Sequence, residues 1–430
     1  MDIRKGNASL RRKWGKGRIA VLGVASAAVL AACGSSSSSS TNSAATTTSS
    51  AKGASASGTP YVMHAIVSQT GSASFLGSRE AKALQGLAAL VNTQGGIDGH
   101  PLQIDIQDNQ STPATAVSYA TSLVSANAPL IFNGSVVAVD AAVDSLATSS
   151  GPFIYDLSPG THPKPGSMIF SAGISTKFDA QAYLTFLKAK GLTNIAAITS
   201  TDGSGVDGFN QLKTALAEPQ FSSFKLLTHQ TFDPTAVSVT TQLSVIKAAN
   251  PQALIVWTTG TPLGTVLQGM SSLGMENIPT VTTDGNAAYS ELTHFASIMP
   301  KTLYFPTGML YLPPSDIQNA AVKAKVEAFD TVVKAAGGHP GDAWGLSWDP
   351  AQLLIGAIQK LGVNATAAQI LNYMQNLNNV AGVFGIYNTS TSNHRGLSVQ
   401  DVTISAWNGS SFTPVSALGG APLSTSSSGS

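Results

Sequence analysis

Few residues in this chain could do chemistry, and they are widely spaced. Gly203-Ser204-Gly205-Val206-Asp207-Gly208 has the glycine spacing that lets backbone approach a dinucleotide pyrophosphate at a helix N-terminus. It follows an apolar strand and opens a helical pattern. The acidic residue that would hold a ribose about twenty positions on is missing. That stretch reads Lys225-Leu226-Leu227-Thr228-His229-Gln230. The glycines are therefore read as a loop lip whose backbone approaches a ligand. No catalytic set emerges either. The chain has no G-x-S-x-G elbow, no H-E-x-x-H and no cysteine nucleophile, and its seven histidines are scattered without ligand spacing. The reading is a non-enzyme with no cofactor and no metal, and an exported hydrolase is the alternative from another class.

Binding chemistry remains. A bound anion needs hydroxyls and free backbone N–H groups, and a bound cation needs an acid. The elements that would position such groups begin at Tyr61. Residues 61–67 are apolar and β-branched like a buried strand, and Ser68 to Gly77 form a small-residue turn. Ser78 offers a cap, and Leu84, Leu87, Leu90 and Val91 recur at helical spacing up to Gly95-Gly96. Leu102 to Gln107 is the next strand. This βαβ unit puts its first loop at the carboxyl end of a strand, where open α/β sheets bind ligands.

Strand–helix alternation continues. Thr112-Pro113 opens a helix, and residues 130–132, 153–155, 195–198, 254–257 and 280–281 read as strands. Helices are expected near 207–218, 239–249, 262–273 and 317–336, with Asp349-Pro350 capping another to Lys360. After Gly382 short strands and turns suggest a closing antiparallel segment.

The N-terminus is a targeting device. Seven basic residues precede an uncharged apolar run over 19–30, short for a membrane span. Leu30-Ala31-Ala32-Cys33 reads as a lipobox, with Cys33, the only cysteine, as the lipidation site. Residues 34–58 are Ser/Thr/Ala/Gly-rich and form a tether. Removing residues 1–32 turns 23 basic against 22 acidic residues into 16 against 21, with Arg79 and Arg395 the arginines that remain. Such a chain has no basic face for nucleic acid.

Thr70-Gly71, Gly77 before a helix, and Asn92-Thr93-Gln94-Gly95-Gly96-Ile97-Asp98-Gly99-His100-Pro101-Leu102 resemble the first unit of the type I solute-binding proteins that serve ABC importers of the branched-chain amino acid kind. The resemblance implies an α/β chain with the type I periplasmic binding protein fold, two doubly wound α/β lobes joined by three hinge crossovers near 172–176, 304–308 and 383–386. It divides the chain into a signal peptide (1–32), a lipid-anchored linker (33–59), lobe 1 (60–174), lobe 2 (175–305), lobe 1 again (306–384), a lobe 2 closing segment (385–416) and a flexible tail (417–430).

The resemblance further implies that lobe 1 contacts a carboxylate through the loops holding Ser135, Val136, Ser158 and Thr161. Phe75 and Leu76 would form an apolar wall. Lobe 2 would contribute Ser204, Gly205, Thr261 and, for an ammonium, Asp284 in Thr282-Thr283-Asp284-Gly285-Asn286. Departures from the family pattern are visible. Val136 and Val137 replace hydroxyls, cleft tyrosines fall on Leu76 and on the Ser204 and Thr261 loops, and the disulfide cysteines fall near Ser111 and Val136. Leucine therefore does not follow as the ligand. Trp257 reads as core; Trp344 and Trp348 are compatible with permease, ligand or interior. The implied function is a monomeric lipoprotein on the extracytoplasmic face of a bacterial membrane. It would capture a small molecule by hinge closure and hand it to a permease with separate ATPase subunits. A sensor on the same fold is the alternative.

Overall fold

β1 (Tyr61–Val67) forms because five of its seven residues are buried, as a strand with helices on both faces requires. In this computed structural model, which describes residues 56–423, α1 (Ser74–Thr93) follows it and buries Leu84, Leu87 and Val91 against the sheet. Each such side chain contributes about 1.5–3 kcal/mol. The helix starts at Ser74 rather than after Ser78. Gly71 (φ 84°) turns the chain early, and Ser111 Oγ accepts the Ala73 N–H at 3.0 Å, fixing the first turn. β2 (Leu102–Asp108), α2 (Pro113–Ser125), β3 (Leu130–Asn133), α3 (Val137–Val143), β4 (Phe153–Asp156) and β5 (Ile169–Ser171) follow. The five strands make one parallel sheet in the order β2-β1-β3-β4-β5.

The chain then alternates again through α4 (Thr176–Ala189), β6 (Asn194–Ser200), α5 (Gly203–Leu216), β7 (Lys225–Phe232), α6 (Thr240–Ala248), β8 (Ala253–Trp257), α7 (Thr261–Ser272), β9 (Thr280–Thr282), α8 (Tyr289–His294) and β10 (Leu303–Thr307). α9 (Ala320–Ala335) and α10 (Asp342–Leu361) return to pack on α1. After them come α11 (Ala367–Met374), the short pair β11 (Val380–Ala381) and β12 (Ile386–Tyr387), then β13 (Thr403–Trp407) and β14 (Phe412–Pro414). The second sheet has the order β14-β13-β10-β9-β8-β6-β7, antiparallel only at β13 and β14. One apolar core runs through both lobes, from Leu84 and Phe132 to Phe305 and Trp407. Satellite cores around Ile131 and Val256 cover the other face of each sheet.

Several sequence expectations need correction. The chain does not rejoin the second sheet at 383–386. His394 stacks on Phe170 at 4.5 Å and bonds the Ile169 carbonyl at 2.8 Å, so this segment stays on lobe 1 and the passage comes just before β13. Asp349-Pro350 does not begin a helix. It lies inside α10, which tolerates the proline because 15 of its 20 residues are buried. The Asp349 carboxylate instead receives the N–H groups of Val383 (2.8 Å) and Phe384 (3.1 Å) and the Tyr387 hydroxyl (2.9 Å). The start of the expected tail is packed: Gly419 and Gly420 are buried, and the Gly419 N–H bonds Val402 O at 2.7 Å. At the other end, the amides of Ser57 and Gly58 bond Gly99 O, tying down the end of the expected linker. The signal peptide, Cys33, most of the linker and residues 424–430 lie outside the described residues.

Candidate functional site

Between the two lobes lies a cavity of about 670 Å³, lined by loops at the carboxyl ends of parallel strands in both sheets. Lobe 1 contributes Phe75 and Leu76 after β1, Ser135 to Val137 after β3, and Ser158 to Gly160 after β4. Lobe 2 contributes Gly203, Ser204 and Asp207 after β6, residues 234–237 after β7, Thr259 and Thr261 after β8, and Thr283 to Gly285 after β9.

The lobe 1 hydroxyls are held by buried partners. Ser135 Oγ accepts the Ser68 N–H at 3.2 Å and shares a short hydrogen bond with Glu80 Oε2. Ser158 is fixed by its own backbone: its N–H donates to Asp140 Oδ2 (3.1 Å), and its carbonyl accepts the hydroxyls of Thr161 (2.7 Å) and Ser171 (3.0 Å). Burial pushes the Asp140 and Asp156 carboxyls well above the usual carboxylate range, and their neighbouring acids add to this. Behind this loop Arg395 is buried. Its guanidinium donates to the carbonyls of Ala172, Gly173 (3.3 Å), Pro159 (2.9 Å) and Thr161 (2.7 Å). One cation thus locks the 159–161 loop to the start of the first passage between lobes.

On the lobe 2 side Asp284 Oδ1 accepts from Thr283 Oγ1 (2.7 Å) and the Gly285 N–H (2.8 Å). Burial raises its pKa, against the pull of those hydrogen bonds and of Arg395. Asp179 and Asp342 both feel the Asp284 charge and are pushed well up, chiefly by burial. Neither carboxylate has a hydrogen-bond partner on either oxygen among the described residues. A cationic group delivered to Asp284 would therefore meet a buried cluster of three carboxyl groups, two of them without hydrogen-bond partners among the described residues. Among the described residues no Lys or Arg lines the larger cavity.

The lobes touch at several points. His162 Nε2 pairs with Asp207 Oδ1 at 2.7 Å, and Arg79 pairs with Glu291 at 3.2 Å. The Phe75 ring lies against Gly260, where an added Cβ would sit 2.9 Å from Cε1. Arg79 does not line the larger cavity, so it is not placed to receive a carboxylate there. It also bonds Phe75 O and Ser290 Oγ, and it lines a smaller cavity of about 220 Å³ that meets the larger one at the Asp284-Gly285 turn.

The larger cavity gathers Phe75, Leu76, Ser135, Val136, Ser158, Ser204, Thr261 and Asp284. It leaves out two residues that the resemblance had nominated. Thr161 is buried behind Ser158, and its hydroxyl holds the loop carbonyl. Gly205 packs on β6, where a Cβ would lie 1.9 Å from Ser200 O. Gly208 likewise makes room for Trp257, whose Cδ1 would be 2.0 Å from a Cβ there. These two glycines of the fingerprint stretch thus serve helix–sheet packing, while Gly203 and Ser204 form the lip. Trp257 is almost wholly buried yet reaches the cavity wall. Trp348 is interior, and Trp344 is almost wholly buried but lines the smaller cavity. Sequence reasoning missed residues 234–237 because β7 was not recognised: Lys225–Phe232 reads as a polar stretch. Asp207, Thr259 and Thr283 lie inside stretches it had marked, but it did not single them out. Glu80 carried no signal, being one acid in an amphipathic helix.

A family model described as periplasmic binding protein matches residues 65–411. No curated protein matches the chain. Among solved structures, the chain is similar to an extracellular ligand-binding receptor of Rhodopseudomonas palustris HaA2 (21% identity, TM-score 0.73, covering 83% of this chain and 99% of that one). It is also similar to LivJ, a branched-chain amino acid transporter substrate-binding protein of Streptococcus pneumoniae, solved with isoleucine (18%, 0.66, 83% and 98%). A third is an ABC transporter solute-binding protein of R. palustris solved with benzoate (18%, 0.68, 85% and 97%).

Proposed function

From the premise that this chain belongs to the periplasmic binding protein family and is an extracytoplasmic ligand-binding protein, we propose that it is a lipid-anchored receptor that encloses a small organic solute and delivers it to an ABC permease. One observation carries the reading: a cavity of about 670 Å³ between two α/β lobes, walled on both sides by strand-end loops. A solute that bridges the lobes makes contacts available only when they are together, so it favours the closed arrangement and expels water from the cleft. Ser135 and Ser158 suit a carboxylate, Asp284 suits an ammonium, and Phe75 with Leu76 gives an apolar wall. The isoleucine and benzoate complexes of the similar structures support amino acids and aromatic acids as the classes to try. The lipid would be carried on Cys33, and the boundaries of tether and lobes follow the sequence division with the corrections above.

A thermal-shift screen of amino acids, their amides and aromatic acids tests the reading. A solute at 100 times its dissociation constant stabilises by about 2.7 kcal/mol. No shift with any member of the panel would sink the solute-binding proposal.

A further inference from the structure

Behind the cavity wall sits a carboxyl group that no sequence pattern announces. Glu80 on α1 is fully buried, its Oε2 shares a short hydrogen bond with the Ser135 hydroxyl, and its Oε1 has no partner among the described residues. Ser135 Oγ also accepts the Ser68 N–H, and Ser135 lines the larger cavity. A hydroxyl has one proton to give and two lone pairs. If Glu80 is ionised, the Ser135 proton is committed to it and the cavity sees only a lone pair. If Glu80 is protonated, its O–H takes one lone pair, the Ser68 amide takes the other, and the Ser135 proton is free for the cavity.

We propose that Glu80 is a positioning residue which, by holding a proton, makes Ser135 a hydrogen-bond donor to a carboxylate of the bound solute. This rests on the solute-binding reading and adds to it the group that sets the Ser135 hydroxyl as donor. With no Lys or Arg on the larger cavity among the described residues, a carboxylate there depends on hydroxyl and amide donors. Burial pushes Glu80 from 4.5 up to about 8, against the bond from Ser135. A like charge, Asp140 on α3, feels it as well. β1 gives way to the uncharged Ser68 amide, and α10 presents Ser347, whose hydroxyl donates to the Glu80 carbonyl at 3.0 Å.

Among the described residues no charged side chain bonds the Glu80 carboxyl, whose partner is the Ser135 hydroxyl. Asp349 of α10 holds the β11–β12 turn, while Asp342 of α10 lines the smaller cavity. Asp108 of β2 bonds Thr70, Asp105 of β2 bonds His64 of β1, Lys334 and Asp330 of α9 pair with each other, and Arg79 turns to Glu291. No salt bridge to Glu80 exists among the described residues.

The test uses the full chain with benzoate and isovalerate, acids whose own charge is constant above pH 6, by calorimetry at pH 6.5 and pH 9. Wild-type affinity should fall about tenfold at pH 9, where a group titrating near 8 is mostly ionised. Glu80→Gln cannot ionise and keeps an N–H aimed at Ser135, so it should retain the pH 6.5 affinity and lose the fall. Ser135→Ala should bind weakly at both pH values. Carboxyl-carbon NMR of Glu80 in the ligand-free wild type, which requires no variant to fold, should show a midpoint near 8.

A flat wild-type profile, a fall that persists in Glu80→Gln, or an NMR midpoint near 4.5 would overturn the proposal. If neither acid binds but isovaleramide or another neutral solute does, this proposal fails and the solute-binding reading stands. If the whole panel gives no shift, both fail.

Discussion

Asp284→Asn separates the two jobs that a buried turn aspartate can have. The asparagine oxygen can still accept from Thr283 Oγ1 and the Gly285 N–H, which lie 2.7 and 2.8 Å from Oδ1, so the turn is kept. The negative charge is lost. In the ligand-free protein that charge faces Asp179 and Asp342, two carboxyls without hydrogen-bond partners on either oxygen. Removing it relieves like-charge repulsion, so the stability of the empty protein should hold or rise slightly. An amine-bearing solute from the thermal screen should lose its ion pair instead. Truncating one partner of a buried charge pair costs about 2–5 kcal/mol, from roughly thirtyfold to several thousandfold in affinity. Because burial raises the Asp284 carboxyl, wild-type affinity for the amine should also weaken in acid as that carboxyl protonates. Calorimetry with thermal unfolding at pH 7 reads both effects. A variant that binds the amine normally but unfolds more easily would show Asp284 to be a turn residue only.

Other perturbations probe what holds the site. Arg395→Met removes donors from four carbonyls at once, so unfolding in urea should show a loss of about 3 kcal/mol, with Arg395→Lys a poor rescue because one ammonium cannot span the same acceptors. Gly208→Ala should gain about 1 kcal/mol of helix propensity but lose about 1–3 kcal/mol to the clash with Trp257, so thermal unfolding should come out net destabilised. Stability should also depend on pH through Glu80. Its folded pKa lies above the ordinary 4.5, so the stability it carries is whole below 4.5 and is lost as pH rises toward 8. The loss is on the order of 5 kcal/mol, and denaturation of Glu80→Gln across that range should lack it.

The parts of the fold legible in the sequence were those where local pattern and tertiary need agree. The β1–α1–β2 unit could be read because a largely apolar strand and a helical leucine stripe are what a doubly covered parallel sheet demands. α10 was misread because Asp349-Pro350 looks like a helix start, whereas burial of most of the helix overrides the proline. β7 was missed because its burial is partial and its residues are polar, giving no hydrophobic run. In the site, loop hydroxyls and the Asp284 turn could be nominated by position. Which side of a loop faces the cavity could not be read, as Thr161 and Gly205 show. Glu80 and Arg395 act through partners 55 and more than 200 residues away, a relation no local spacing encodes.

The central claim is that a solute draws two lobes together, and it is tested most directly by a distance between them. Spin labels on Cys substituted at Ser122 of α2 and Ser244 of α6, both exposed, with Cys33 replaced by Ser, would report it by pulsed electron resonance. Saturating solute should shorten and narrow the distance distribution relative to the empty protein. An unchanged distribution, with binding shown by calorimetry on the same sample, would contradict the account.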